Sequence, residues 1–99
     1  MQIKKFINAA EELKLATLRA KEQGISGYRE GEDIFNVFND ENFKKIAKDR
    51  EYKIRRRFNQ AYIYEYTVAV DGLVFTNITN KLLFDGDENK IAEDKNEGI

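Results

Sequence analysis

Lys53, Arg55 and Arg57 stand at alternate positions in YKIRRRF, and Tyr62, Tyr64 and Tyr66 repeat the spacing in AYIYEYTV. On extended backbone a period of two places each set on one face of its strand. If the two strands pair, cations and phenol rings share a surface. Arginine and lysine neutralise phosphates and tyrosine rings stack on unpaired bases, which suits single-stranded nucleic acid. Tyrosine and arginine are also the residues most enriched at protein binding hot spots, which suits a protein partner. A third reading is internal, with the two rows covering one another through cation–π and cross-strand contacts.

The residue types that are missing narrow the chemistry further. The chain has no Cys, His, Trp or Pro, and its single serine is Ser26. Without cysteine there is neither a disulfide framework nor a thiolate metal ligand. Without histidine the usual general base and the commonest metal ligand are absent, so a nucleophilic hydrolase is not expected. We expect a protein that is not an enzyme and carries no cofactor. The 99 residues make one domain, 41% hydrophobic and 35% charged, with seven Phe and five Tyr to build a core. No apolar stretch approaches the ~20 residues of a membrane span. The N-terminal MQIKKFINAAEELK is too charged for a signal peptide, so a cytoplasmic location without membrane association is expected.

The net charge of −1 hides blocks of opposite sign. Residues 1–21 hold five basic and two acidic side chains, 22–42 one and six, and 43–58 eight and two; from Asp85 onward there are six acids and two lysines. The acidic blocks offset the basic row, which shifts the weight from a phosphate ligand toward a protein one. Three acidic patterns lead to no site. Glu51-Tyr52-Lys53 matches the ExK half of a nuclease pattern, with Asp33 or Asp40 as upstream Mg²⁺ ligands, but those acids fall in helical or loop sequence. The DGDEN run at residues 85–89 fails the EF-hand register. Acids between Glu30 and Glu41 could imitate phosphates toward a basic protein, yet acids at helix starts ordinarily complement the dipole.

The elements that must carry these residues follow from the periodicity. Ile3, Phe6, Ile7, Ala10, Leu13, Ala16 and Ala20 predict a helix over 3–23, ended by Gly24, and Leu15 and Leu18 widen its apolar face. GISGYREG, with three glycines, reads as a loop. Residues 32–49 predict one bent helix or two short ones, capped at Asn39 or Asp40 with Phe43, Ile46 and Ala47 inward; a strand at 34–38 competes. Strands follow at 52–58, 61–70 and 73–79. Asp71-Gly72 is a strong type I′ hairpin signal, pairing Val70 with Leu73 and Val68 with Phe75. The Asn59-Gln60 connection is weaker, and a slip there swaps the faces of the first strand.

With two-residue turns throughout, one sheet face carries Ile54, Phe58, Ile63, Ala69, Val74 and Ile78 and meets the helices. The other carries the Lys/Arg and Tyr rows and grades into Val68, Val70, Leu73 and Phe75. That apolar end calls for cover by Leu82, Leu83 and Phe84, or by a partner that makes an oligomer. The expected fold is α+β, with two or three N-terminal helices packed on a three-stranded antiparallel meander. Residues 1–84 form the domain and 85–99 a flexible, acidic, disordered tail.

The helix-helix-strands order with YKIRRRFNQAYIYEYTV over residues 32–80 loosely resembles the RelE/ParE toxin family, although the strand that usually precedes the helices is missing. The resemblance implies a basic sheet that interferes with translation or gyrase, with a ribonuclease role for Arg55, Arg57 or Tyr64. The leading expectation is different: a small protein-binding module that inhibits or recruits a host nucleic-acid-handling machine, of the anti-defence or anti-CRISPR kind. A Lys-, Asn- and Ile-rich composition fits an AT-rich phage or mobile-element source. The partner is then a host or phage protein in a nucleic-acid-associated complex. A single-stranded nucleic-acid binder and a RelE-like toxin are the alternatives.

Overall fold

The computed structural model describes residues 2–58 and 61–92. In chain order the elements are α1 (Ile3–Glu22), β1 (Ile25–Arg29), β2 (Ile34–Val37), α2 (Asp40–Ala47), β3 (Tyr52–Arg56), β4 (Tyr64–Val70), β5 (Leu73–Thr79), a 3₁₀ turn (Asp87–Asn89) and β6 (Ile91–Ala92). Five strands, extended by the two-residue β6, form one mixed sheet in the order β1-β2-β5-β4-β3-β6. The β1–β2, β5–β4 and β4–β3 pairs are antiparallel; β2–β5 and β3–β6 are parallel.

The α+β class is right, but the expected three-stranded antiparallel meander is corrected in three places. GISGYREG is a strand rather than a loop, and β2 takes the segment in which a helix competed with a strand. The tail expected to begin at residue 85 holds a 3₁₀ turn and a strand. Glycine content misled because strand formation here rests on contacts made further along. A bulge between Ile25 and Gly27 absorbs one residue. The Tyr28 ring stacks on Phe35 at 4.6 Å, and the Tyr28 hydroxyl donates to Asp33 at 2.7 Å. The flexible-tail expectation for residues 93–99 lies outside the described residues.

The hairpin reading at Asp71-Gly72 is borne out, with φ of 52° and 82° and with Val70 opposite Leu73 and Val68 opposite Phe75. Asn39 caps α2, its side chain accepting from the Asn42 amide at 3.0 Å. Phe43 and Ala47 then point inward, at 0% and 1% exposure. They meet Ile54, Tyr66 and Val68 of the sheet, and Leu83 closes the cluster. The Phe43 and Tyr66 rings meet edge to face at 5.7 Å.

Helix α1 stands apart from this core. Every residue of it except Ala20 is exposed. The molecule measures 55 × 31 × 25 Å with a radius of gyration of 16.8 Å, against ~13 Å for a compact chain of this length. The difference reflects a helix about 30 Å long that lies off the domain.

Candidate interaction surfaces

The strand β3–β4 register decides where the sequence-picked residues go. Ile54 faces Tyr66, Arg55 faces Glu65 and Arg56 faces Tyr64. This is one residue away from the register that a two-residue turn at Asn59-Gln60 would set, and those two residues lie outside the described ones. Because side chains alternate, one residue of slip reverses a whole strand. Arg57 N–H to the Ile63 carbonyl, at 2.6 Å, closes the longer connection. The expected shared surface is therefore split. Tyr64 and Tyr66 lie on the covered face with Ile54, while Lys53 and Arg55 lie on the open face with Thr67 and Glu65. Phe58, Ile63 and Ile78, expected inside, are 46%, 38% and 41% exposed.

What drives this register is the burial of Tyr66. Its ring is fully enclosed, and its hydroxyl donates to Asp87 at 2.5 Å while accepting from the Leu83 amide at 2.8 Å. Asp87 is itself 0% exposed and also accepts from the Tyr52 hydroxyl at 2.5 Å and the Phe84 amide at 2.9 Å. Burial, and then the Asp87 hydrogen bond and charge, push the Tyr52 phenol up to about 12. The same causes push Tyr66 up, burial first. Both phenols are thus held as neutral donors to a buried carboxylate. The network ties residues 83–91 to the sheet, and the sequence hid it because Asp87 sits in a run of acids that reads as solvated.

That closure also covers the apolar end, for which the C-terminal segment and a partner were the alternative covers. Val68 is 1% exposed; Val70, Phe75 and Phe84 are half-buried around it, leaving Leu73 exposed at 46%. The Leu83 and Phe84 cover is borne out, and the proposed oligomer contact through Val68, Val70, Leu73 and Phe75 loses most of its free surface. The residues implied by the toxin resemblance are separated too, with Arg55 and Tyr64 on opposite faces.

The open face keeps part of the expected cation site in a different company. Arg55, Arg57 and Tyr62 line a cleft of about 910 Å³ with Arg29, Asn36 and Glu65. Sequence reasoning missed Arg29, since only the crossover β1-β2-β5-β4 brings it near β3. Lys53, opposite Thr67, opens instead into a second cleft of about 1000 Å³ shared with Arg50 and Lys90. Asp40, weighed as a metal ligand, instead accepts from Asn77 at 3.0 Å and Thr79 at 3.1 Å, with Lys81 at 3.8 Å. Among the described residues no three carboxylates converge on a cation position.

The remaining surface is α1. Ile3, Phe6, Ile7 and Leu13 are 63%, 59%, 49% and 69% exposed, and Leu15 and Leu18 are half exposed. No helix among the described residues is long and apolar enough to cross a membrane. No protein-family model matches this chain, and no curated protein or solved structure matches it.

Proposed function

We propose that this chain is a small non-enzymatic protein-binding module and that α1 is its docking element. One observation carries the reading: a 20-residue helix buries none of its residues while presenting large apolar side chains along one side. Ile3, Phe6, Ile7, Ala10 and Leu13 follow the i, i+3, i+4, i+7 pattern by which amphipathic helices seat in a groove on another protein. A helix of this length gains its stability mostly from packing, and contiguous exposed apolar surface marks an interaction site. The partner we favour belongs to a host nucleic-acid-handling machine that the module inhibits or recruits, in the manner of anti-defence and anti-CRISPR proteins. The composition bias supports a phage or mobile-element source.

The test is capture from a host lysate by the full chain and by Phe6→Glu/Leu13→Glu. The double variant is expected to keep its thermal midpoint, since neither side chain is buried, and to lose the captured protein. Unchanged capture refutes the reading. So does a lowered midpoint at dilute protein, which would show that α1 packs on its own chain.

A further inference from the structure

The cleft that holds Arg29, Arg55, Arg57 and Tyr62, and whose lining also includes Glu65, Asp40 and Lys81, does not take part in the α1 reading and has a chemistry of its own. Arg29 ends β1, Arg55 lies in β3 and Arg57 directly follows β3, and all three line the same cavity. Glu65 lies by two of them: its Oε1 forms an ion pair with Arg55 at 2.9 Å and its Oε2 lies 4.0 Å from Arg29. Arg29 also donates to Asn36 at 3.2 Å and to Glu32 at 3.2 Å. One carboxylate thus lies within ion-pair distance of both guanidinium groups. The carboxylate of Glu65 is only 17% exposed, whereas the Arg55 side chain is 63% exposed.

Donor counting shows what is left over. A guanidinium has five N–H donors, and Arg55 makes one ion pair on this face. Among the described residues Arg57 enters none of the ion pairs. The face thus offers directed, partly unused guanidinium donors, the group best matched to phosphate oxygens. Tyr62 lies at the same cleft with its side chain 47% exposed. A phenol ring left in water beside arginines is the platform on which an unpaired base stacks.

We propose that this cleft binds single-stranded nucleic acid, with Arg29, Arg55 and Arg57 on neighbouring phosphates and Tyr62 under a base. It uses no residue of α1, so it stands or falls separately from the protein-docking reading.

Fluorescence anisotropy with labelled oligothymidylate and oligouridylate tests the proposal on the full chain. Three phosphate contacts give a slope of about −2 for log affinity against log salt, or roughly an 18-fold loss between about 50 and 200 mM. Arg57→Gln is expected to weaken binding about tenfold and to reduce the slope by about 0.7. Tyr62→Ala weakens it at least about fivefold while Tyr62→Phe keeps it. Lys4→Gln/Lys5→Gln, which removes two cations from α1, and Phe6→Glu/Leu13→Glu both leave affinity within about twofold of the parent. The proposal is overturned by no saturable binding at low salt. It is equally overturned by unchanged affinity in Arg57→Gln and Tyr62→Ala, by equal loss in the Lys4/Lys5 control, or by equal affinity for a duplex of the same length.

Discussion

Replacing Asp87 by alanine is expected to cost about 3 kcal/mol of folding stability. The side chain is fully buried and accepts three hydrogen bonds, from Tyr52, Tyr66 and the Phe84 amide. Hydrogen bonds to an ionised group contribute about 1.5–3 kcal/mol each, and a buried donor left without an acceptor costs about 1–3 kcal/mol. Tyr52 is half-buried and recovers a water, so its share is small. Tyr66 cannot do so, and its orphaned hydroxyl supplies most of the loss. Relief from desolvating the carboxylate offsets part of the total, which leaves a net cost of about 3 kcal/mol. Against a typical total of ~5–15 kcal/mol, that lowers the thermal midpoint by roughly 15 °C.

Asp87→Asn keeps the shape; its carbonyl at the Oδ2 position still accepts from Tyr66 and the Phe84 amide, while its NH2 turns to the Tyr52 oxygen, which can accept, so about half the loss is expected. Urea melts followed by circular dichroism measure both, and amide exchange should rise across residues 83–91. Combining Asp87→Ala with Tyr66→Phe closes a cycle whose coupling energy should exceed about 1 kcal/mol. If Asp87→Ala stays within about 1 kcal/mol of the parent, or the two losses simply add, the buried network is not what holds this segment to the sheet.

Two further outcomes follow from the same geometry. Stability should be level through neutral pH and fall as pH rises from about 10 through about 12. The unfolded phenols ionise near 10, while the folded Tyr52 holds its proton to about 12 and Tyr66 is raised as well. The unfolded state then binds fewer protons over that window, and stability is lost with rising pH. Urea melts across the window, with tyrosinate absorbance of the folded protein, check this; an identical slope in Tyr52→Phe would remove Tyr52 from the account. Gly24→Ala should cost about 2 kcal/mol, since Gly24 has φ of +99° and a Cβ there would lie 2.4 Å from the Asn42 Nδ2. Adding Asn42→Ala should restore the steric part but not the backbone strain, which the same melts resolve.

Local chemistry was legible wherever a short segment carries its own constraint. Asp71-Gly72 set its hairpin because the turn needs positive φ at both positions, and Asn39 set the start of α2 because its side chain satisfies a free amide. Phe43 and Ala47 were readable as core from their spacing alone. The β3–β4 register was not, because two alternating rows, YKIRRRF and AYIYEYTV, fit together in either phase. The choice between phases came from Asp87, 21 residues beyond Tyr66.

The sequence by itself determined the coarse α+β class and some of the parts: a chain without histidine or cysteine, an amphipathic first helix and a well-registered β4–β5 hairpin. Only the tertiary structure decided which side chains share a surface. It placed β2 parallel to β5, drew Arg29 to the Arg55 cleft, buried Tyr66, half-buried Tyr64 and left α1 uncovered. Turns and caps are decided within a few residues of backbone, whereas a sheet face is decided by which distant groups bury together. A two-residue repeat records that a strand has two faces, and the buried pairing of Tyr66 with Asp87 selects which of them meets solvent.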